Sequence, residues 1–436
     1  MGLLLAWLLA ANTCCALAGS TAKAGKAPPA GPARFAVISD PHIYKDRLGT
    51  TGSAFDDYLK GDPKLIEWSE AIFESALDSI TRQGGRFLII LGDLTKDGEI
   101  LDHVLMAQHL AKLEQKGIQV FVVPGNHDIN NPDAVTYVGD TTRPVPNTSP
   151  GTFRALYQRF GYGEAIARDA GSLSYVAEPV PGLWLLAIDS CKYRDNLELG
   201  TPVIGGGLAS GTMDWILARL QEAQAGGKQV IAFMHHGVNQ HFLPEPLLFP
   251  DYLVDDWPTV SAQLAAAGLK AVFTGHYHSQ DAAYPVDENL QPQLTLCDVE
   301  TGSLSQYPCA FRVVTIDGAT LNIRTERVTE IDADTGGVPF QQFAEAFLRT
   351  HMAEQVVQQL IALLHLSEAE ATYLAPTVID ALVANYVGDE APSTATQEMI
   401  MGFILSPDPR QQNLGMLLAG IWTDLWPADN DLVVPF

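Results

Sequence analysis

The chain of 436 residues is strongly acidic, with 26 Lys and Arg against 51 Asp and Glu and a formal net charge of −25. Hydrophobic residues make up 47% of it, which is enough for a large core and argues against intrinsic disorder. The negative charge disfavours polymeric nucleic acid as a partner, because proteins bind polyanions through clustered Lys and Arg. A small phosphate ester stays compatible with this charge where cations dominate the local field.

The N-terminus carries the pattern of an export signal. Residues 1–18 are apolar and uncharged and end in Ala-Leu-Ala, which is typical of a signal-peptidase site, and residues 19–33 have a linker composition. We therefore predict a signal peptide at 1–18, a linker at 19–33 and a periplasmic or extracellular protein. Two alternatives stay open: a buried N-terminal element, and a lipoprotein leader with a lipid on Cys14 or Cys15, which would be the only membrane contact.

Three Cys remain after such a leader is removed, so they cannot form a full disulfide framework. Cys297 and Cys309 lie on neighbouring predicted strands and could pair in an oxidising compartment. The interpretation we favour is that these two and Cys191 are inert buried thiols.

Six short apolar runs rich in β-branched residues each end abruptly in polar residues, as strands buried on both faces do. Helical patterns such as Leu65–Arg82 and Glu99–Lys116 lie between several of them. Strands that alternate with helices predict an α/β fold whose ligand site lies at the carboxyl ends of the strands. The six runs are Arg34–Asp40, Arg86–Asp93, Ile118–Asn126, Gly182–Ser190, Lys228–His236 and Lys270–His276.

The character of the sequence changes to helical past Gly337. Apolar residues at helical spacing predict a helix over Phe340–Leu364, and Ser367 with Glu370 forms a capping box that opens a second helix. The predicted boundaries are a catalytic domain at 34–336 and a small helical C-terminal domain at 337–436. Further strands are predicted before this boundary at Ser172–Glu178, Gln293–Val299, Cys309–Asp317 and Thr320–Arg327.

Five polar clusters occur in order, four of them directly at a predicted strand end. Because the carboxyl ends of strands in an α/β sheet meet at one edge, we expect these side chains to converge there. Each cluster alone is a weak signal, although Gly125-Asn126-His127-Asp128 is sharper than the others, and the ordered set indicates one site. The clusters are Asp40-Pro41-His42, Gly92-Asp93, Gly125-Asn126-His127-Asp128, Met234-His235-His236 and Gly275-His276-Tyr277-His278.

The side chains in these clusters predict a metal site. Asp and Asn oxygens and imidazoles without a thiolate suit Mn, Fe or Zn. One ion takes about four to six ligands, so the set indicates two divalent ions that share a carboxylate. Two such ions about 3.5–4 Å apart can clamp a phosphoryl group for in-line attack. The seven candidate ligands are Asp40, His42, Asp93, Asn126, His235, His276 and His278.

The ordered clusters resemble the calcineurin-like metallophosphoesterase superfamily over about Phe35 to Arg327. The resemblance implies a four-layer αββα sandwich with two metals above the strand ends. By the family pattern His127 contacts the phosphate and gives a proton to the leaving oxygen, and Asp128 orients His127 through a ring nitrogen. The pattern also implies one metal on Asp40, His42 and His278, a second on Asn126, His235 and His276, and Asp93 as the bridge.

The fuller pattern narrows the predicted activity. The segments GDLTKDGE and VVPGNHDINNP, with the appended helical region, are similar to exported bacterial phosphodiesterases that act on cyclic nucleotides. This implies hydrolysis of a small phosphodiester by a hydroxide that bridges the metals. A phosphomonoesterase or nucleotidase and a catalytically silent binding module are the alternatives, and the sequence makes no prediction of oligomeric state. Purple acid phosphatases carry a Tyr three residues after the bridging Asp; Lys96 stands there in this chain, which favours two divalent ions.

Two further histidines carry weaker signals. His236 follows a candidate ligand and should face the other side of its strand. His241 lies in a long loop after the fifth apolar run, where it could touch a substrate or be solvated.

Overall fold

The computed structural model describes residues 33–243, 245–286 and 291–435. The predicted signal peptide at 1–18 and the linker at 19–33, apart from its last residue, lie outside the described residues. Within the described ranges, no helix is long and apolar enough to cross a membrane.

Two mixed β-sheets and a two-stranded ribbon form the centre of the catalytic part. The strands are β1 (Ala33–Ile38), β2 (Phe87–Ile90), β3 (Gln119–Val122), β4 (Val135–Val138), β5 (Thr141–Pro144), β6 (Ala167–Arg168), β7 (Tyr175–Val180), β8 (Leu183–Ala187), β9 (Gln229–Phe233), β10 (Ala271–Thr274), β11 (Asp281–Ala283), β12 (Cys297–Glu300), β13 (Ala310–Asp317), β14 (Thr320–Arg327) and β15 (Asp431–Pro435). The first sheet has the order β15-β14-β13-β1-β2-β3 and the second the order β11-β12-β10-β9-β8-β7-β6, while β4 and β5 form the ribbon.

Helices cover the sheets and form the C-terminal region. They are α1 (Ser53–Lys60), α2 (Ser69–Gln83), α3 (Ile100–Gln115), α4 (Pro150–Leu156), α5 (Asn196–Leu199), α6 (Thr212–Ala225), α7 (Glu245–Leu248), α8 (Trp257–Ala266), α9 (Phe340–Leu364), α10 (Glu368–Val387), α11 (Thr394–Ile404) and α12 (Pro409–Ile421). Each of the six predicted apolar runs overlaps a strand, namely β1, β2, β3, β8, β9 or β10.

Alternating side chains on the central strands explain the layers. On β9, Ile231 and Phe233 join the core shared with the first sheet, whereas Ala232 packs in a second core with α6 and α8. Phe35 of β1 meets Phe273 of β10 across the two sheets, with ring centroids 6.0 Å apart. Helices α2 and α3 contribute to the core around the first sheet. The predicted αββα sandwich is therefore confirmed.

The direction of the strands places the polar clusters at one edge. Strands β1, β2 and β3 run parallel, as do β8, β9 and β10, so the segments that follow them leave at the same end of each sheet. The loops carrying all five clusters follow β1, β2, β3, β9 and β10.

The C-terminal region begins as predicted and ends differently. Helix α9 has the predicted bounds, and α10 opens with the predicted capping box of Ser367 and Glu370. The helical C-terminal region is confirmed, and to it is added β15, which returns to the first sheet and pairs antiparallel with β14. Its alternating residues Leu432 and Val434 are buried, and the strand covers the edge of β14 that would otherwise expose unpaired backbone groups.

The helices pack onto the catalytic part through a shared apolar cluster. Residues of α9, α10, α11 and α12 form this cluster together with Phe242 and Tyr277 of the catalytic loops. Cys191, Cys297 and Cys309 are free thiols, as favoured from the sequence, and the alternative disulfide between the last two is not formed.

Candidate metal centre and active site

Most of the candidate ligands lie on backbone that is unfavourable for their residue type. Five of the seven have a positive φ: Asp40 (48°), His42 (38°), Asp93 (46°), His276 (75°) and His278 (74°). Left-handed backbone is uncommon outside Gly and persists where surrounding contacts enforce it, most often at functional sites. The loops after β1, β2 and β10 therefore hold these side chains in imposed positions.

Two glycines allow the loops to approach one another. A Cβ on Gly125 would lie 2.1 Å from both the backbone nitrogen and Oδ1 of Asp93. A Cβ on Gly275 would lie 1.8 Å from Oγ of Ser39 and 2.7 Å from Oδ2 of Asp40. Only Gly fits where the carboxylates are this close to the backbone of a neighbouring loop.

Asp93 lies at the centre of the cluster. Its Oδ2 atom is 3.6 Å from Nε2 of His42 and 3.5 Å from Nε2 of His235. Its Oδ1 atom accepts the backbone N–H of His127 at 2.9 Å. One carboxylate thus faces an imidazole from each of two loops, which is the arrangement expected of a ligand shared by two cations.

A first group of ligands surrounds Asp40. Its Oδ1 atom is 3.3 Å from Nε2 of His278 and 3.9 Å from Nε2 of His42. This oxygen and both ring nitrogens of His42 are buried without a hydrogen-bond partner. Since buried polar atoms are normally paired, these orphaned atoms fit a bound cation.

A second group lies on the other side of Asp93. Nδ1 of His235 lies 2.9 Å from the carbonyl of Leu91, and Nε2 lies 2.9 Å from Oδ1 of Asn126. When Nδ1 of the neutral ring donates to the carbonyl, Nε2 has no proton and faces the Oδ1 atom of Asn126, which is also an acceptor. A cation bound by both atoms would account for their close approach. Nε2 of His276 is also buried without a partner, and its ring centroid is 4.7 Å from that of His235.

His236 does not join this second group, although it is adjacent. Its Nδ1 lies 2.8 Å from Oγ of Ser190 and its Nε2 lies 2.9 Å from the carbonyl of Ile204. Both ring nitrogens are therefore engaged by protein atoms, and the ring has no free lone pair for a metal.

Burial sets the protonation of several ligands. It lowers the pKa values of His42 and His276 well below the usual range, which keeps these rings neutral and able to ligate. Burial raises the pKa of Asp93, but the neighbouring rings of His235 and His127 outweigh this and hold it well below the usual range. His235 differs from these two rings: burial lowers its pKa, but Asp93 and Asp40 outweigh this and raise it to about 9. A divalent cation bound at Nε2 would displace that proton.

His127 lies beside the candidate ligands, and its ring nitrogen contacts a residue other than Asp128. Its Nε2 atom is 3.9 Å from Oδ2 of Asp93, and its Nδ1 atom is 2.8 Å from Oδ1 of Asp97. Burial lowers the pKa of His127, but Asp93 and Asp97 outweigh it and raise the pKa to about 9. A cation on Asp93 would oppose this rise, since it removes negative charge near the ring.

The prediction that Asp128 orients His127 through a ring nitrogen is wrong. The carboxylate of Asp128 is buried and accepts the backbone N–H groups of Leu94, Thr95 and Gly125 and the hydroxyl of Thr95 at 2.8–3.1 Å. These donors hold the side chain behind the loops and away from the ring. Asp128 therefore ties the loop after β2 to the loop after β3.

Asp97 is the residue that sequence reasoning missed. It lies four positions after Asp93 in the segment GDLTKDGE, and no role was assigned to it. Its carboxylate contacts the Lys96 ammonium as well as His127, and Nδ2 of Asn131 lies 3.4 Å away. Burial raises the pKa of Asp97, but Lys96 and His127 lower it to about 2. Lys96 itself lies over the ring of Tyr58 at 4.3 Å and serves as a counter-charge to Asp97.

A cavity of about 260 Å³ adjoins the ligands. His278 lies at one side of it, Tyr252 and Tyr386 contribute aromatic rings, and α9 contributes the amide of Gln355. In the described part of the chain, Lys64 is the one Lys or Arg side chain among its walls. A lone Lys at the start of a helical pattern carries no motif, so the sequence could not point to it.

Lys64 remains a cation in this position. Burial lowers its pKa, but the carboxylate of Asp62, whose Oδ2 is 3.0 Å from the ammonium, outweighs this and leaves the pKa raised. The Lys64 charge also contributes to lowering the pKa of His42, which shows that it acts on the ligand cluster.

The model of the calcineurin-like phosphoesterase family matches residues 33–280, more than half of the chain. The chain belongs to this family. No curated protein matches the phosphoesterase in sequence. A solved dimetal phosphatase from Danio rerio is 13% identical with a TM-score of 0.44, covering 69% of this chain and 98% of its own. A purple acid phosphatase from yellow lupin (Lupinus luteus) seeds is 10% identical with a TM-score of 0.41, covering 69% and 52%.

Family membership and the convergence of the ligands establish the coarse activity. This phosphoesterase is a metal-dependent hydrolase of phosphoric esters, and the matched range contains all seven candidate ligands and His127. The structure brings every one of these side chains to one edge of the sandwich.

Proposed function

We propose that this phosphoesterase hydrolyses a small phosphodiester, cyclic nucleotides included, with two divalent cations of Mn, Fe or Zn. The observation that carries the proposal is the position of Asp93, whose Oδ2 faces imidazoles from two sides while His127 lies 3.9 Å from the same oxygen. Asp40, His42 and His278 would hold one cation, Asn126, His235 and His276 the other, and Asp93 would bridge them.

Two bound divalent cations supply a hydroxide near neutral pH and neutralise charge on the phosphoryl group. The residues of the chain provide the remaining steps. His127 presents Nε2 to the side of Asp93 where the ester would lie, and it gives its proton to the leaving oxygen. Asp97 holds the opposite ring nitrogen and favours the protonated ring before transfer.

The cavity beside the ligands supports a small substrate with two ester substituents. A space of about 260 Å³ lined by Tyr252 and Tyr386 fits one ring-sized group beside the phosphorus, while the other ester oxygen leaves past His127. Lys64 lines this space paired with Asp62, so the two walls together add no net positive charge that would favour the second negative charge of a monoester.

The acidic surface and the N-terminal sequence support the rest of the proposal. A net charge of −25 disfavours polymeric nucleic acid as substrate. The apolar leader at 1–18 supports export to the periplasm or the extracellular space, with a lipid on Cys14 or Cys15 as the alternative anchor. Intact-mass analysis of the protein from the membrane and soluble fractions of a producing cell tests this. An uncleaved chain in the cytoplasm would contradict export.

A substrate panel tests the activity. The full chain, reconstituted separately with Mn²⁺, Zn²⁺ and Fe²⁺, is assayed on bis-(p-nitrophenyl) phosphate, p-nitrophenyl phosphate, 2′,3′- and 3′,5′-cyclic nucleotides and mononucleotides. We expect a higher kcat/KM on the diesters, with Asp93→Asn as the inactive control and His351→Gln as the active one. Preference for monoesters would identify a phosphomonoesterase, and metal loading without turnover would identify a binding module.

A further inference from the structure

Three carboxylates lie on one face of β11 and β12, which are neighbouring strands of the second sheet. Asp281 of β11 is paired directly with Glu300 of β12, and Asp298 lies two residues earlier on β12. Residues at these positions point to the same face, where like charges repel. All three are at most 3% exposed, so solvent does not screen the repulsion.

A histidine from another loop points into this acidic group. Nδ1 of His241 is 3.1 Å from Oδ1 of Asp281, and its Nε2 is 3.5 Å from Oδ2 of Asp298 and 3.8 Å from Oε2 of Glu300. His241 is 1% exposed, and Nε2 has no hydrogen-bond partner. A buried nitrogen without a partner, facing two carboxylate oxygens, is the atom arrangement that a cation would complete.

Backbone donors fix the carboxylates in place. Oδ2 of Asp298 accepts the N–H groups of Val238 and Asn239 at 2.7 and 3.0 Å, and Oε1 of Glu300 accepts the N–H of Ser279 at 3.2 Å. These bonds orient the oxygens without neutralising them.

The neighbouring Arg312 does not pair with these carboxylates. Its guanidinium donates to the main-chain carbonyls of Asp281, Glu300 and Asp429. Burial raises the pKa of Glu300, and His241 opposes this rise. The nearby acids raise the pKa further, so that it lies well above the usual range. Burial likewise raises the pKa of Glu245, whose carboxylate accepts the N–H of His241, to about 7. Burial lowers the pKa of His241, but Asp281 and Asp298 outweigh this and raise it well above the usual range. Without a metal the proton of this ring is therefore the positive charge in the group, and a divalent cation would displace it.

We propose that His241, Asp298 and Glu300, with Asp281 beside them, bind a third divalent cation. One imidazole with carboxylates and no thiolate suits Zn²⁺ or Mn²⁺. The separations of 3.5 and 3.8 Å between the ligand atoms match those around an ion with ligands at about 2.0–2.2 Å. None of these residues belongs to the phosphoester centre.

This cation would have a structural role. It would join the loop of His241 to strands β11 and β12, and Glu300 in turn bonds Ser279, the residue after the candidate ligand His278. Ser279 also donates its hydroxyl to Oδ1 of Asn385 in α10 at 2.7 Å. The third site would therefore stiffen the loop that carries His276 and His278 and its contact with the helical region.

Metal content of variants tests the proposal independently of the phosphoester centre. The Asp93→Asn variant, which disrupts that centre, serves as the background. Adding His241→Gln or Glu300→Gln to this background should remove a further equivalent of Zn²⁺ and lower the Tm measured in Zn²⁺. The matched control His365→Asn changes an exposed histidine and should leave both unchanged. Equal metal content with and without the His241 and Glu300 substitutions would overturn the proposal, whatever the phosphoester centre holds.

A crystallographic experiment covers the case in which these variants do not fold. Wild-type crystals grown with Zn²⁺ should show an anomalous difference peak at about 2.0–2.1 Å from Nε2 of His241. A map with peaks at Asp93 and none at His241 would overturn the third site and leave the proposed function standing. A peak at His241 with none at Asp93 would support the third site and overturn the proposed function.

Discussion

Nδ1 of His127 lies 2.8 Å from Oδ1 of Asp97, and this contact defines how the most exposed of the predicted site histidines is oriented. The His127 side chain is 26% exposed and that of His278 is 15% exposed, whereas the other candidate ligands are buried. Asp97 is in turn paired with the buried ammonium of Lys96. The chain Lys96–Asp97–His127 therefore leads from the core to the atom that faces the substrate.

Asp97→Asn should lower kcat about 10–100-fold, since it weakens the bond that orients His127 and favours its protonated form. KM and metal content should stay near wild type, because Asp97 is not a candidate ligand. Steady-state kinetics on aryl diesters of graded leaving-group pKa check this, with the largest loss expected on the poorest leaving groups. Asp133→Asn is the matched control, and wild-type kinetics in Asp97→Asn would contradict the assignment.

His127→Gln should retain its metal ions and lose about 10²–10⁴-fold in kcat, which is the usual contribution of a general acid. The loss should shrink as the leaving group becomes a weaker base, because a good leaving group needs no proton. Metal analysis and kinetics on the same preparation check both points. Loss of metal from this variant would instead make His127 a ligand.

Asp128→Asn should act on stability. An amide in place of the carboxylate turns an NH₂ group toward buried N–H donors of the two loops, so unfolding should become easier by about 1–3 kcal/mol. Urea unfolding measures this, with Asp133→Asn again as the control. A leaving-group dependence like that of Asp97→Asn, without loss of stability, would restore Asp128 as the residue that orients His127.

The sequence predicts the fold and the ligand set because both depend on local patterns. Apolar runs that end in Asp, Asn or His mark strands that lead into the site, and β1, β2, β3, β9 and β10 lie where the runs are. The order of the clusters is sufficient to predict that Asp40, Asp93 and His235 meet at one site, although 195 positions separate the first from the last.

What the sequence could not give depends on which side chain meets which across loops. Asp128 is adjacent to His127 in sequence, but four donors hold it elsewhere, and Asp97 reaches the ring from another loop. The return of β15 to the first sheet is another such case. Its few residues follow a long helical region, and only the open edge of β14 determines where they pair.

Stability should depend on pH through His103. Burial lowers the pKa of this ring to about 4. The buried ring forms hydrogen bonds with the carbonyl of Asp128 and the hydroxyl of Tyr157. The unfolded chain binds a proton near pH 6.5 and the folded chain does not, so stability is full above about pH 6.5 and falls as pH drops toward 4. Between about pH 7.5 and pH 5 the loss due to His103 should be about 2 kcal/mol.

Urea unfolding of wild type and His103→Gln at these two pH values checks this, because Gln can keep both hydrogen bonds and does not titrate. The variant should lose about 2 kcal/mol less than wild type on acidification. Equal losses in the two proteins would show that His103 is not buried in its neutral form.

The most direct test of the account is the anomalous scattering of Mn²⁺ in crystals of the wild-type chain. Two peaks about 3.5–4 Å apart on either side of Oδ2 of Asp93 are predicted, one near Asp40 and His278 and one near Asn126 and His276. A single peak, or Mn²⁺ bound away from Asp93, would contradict a shared two-cation centre.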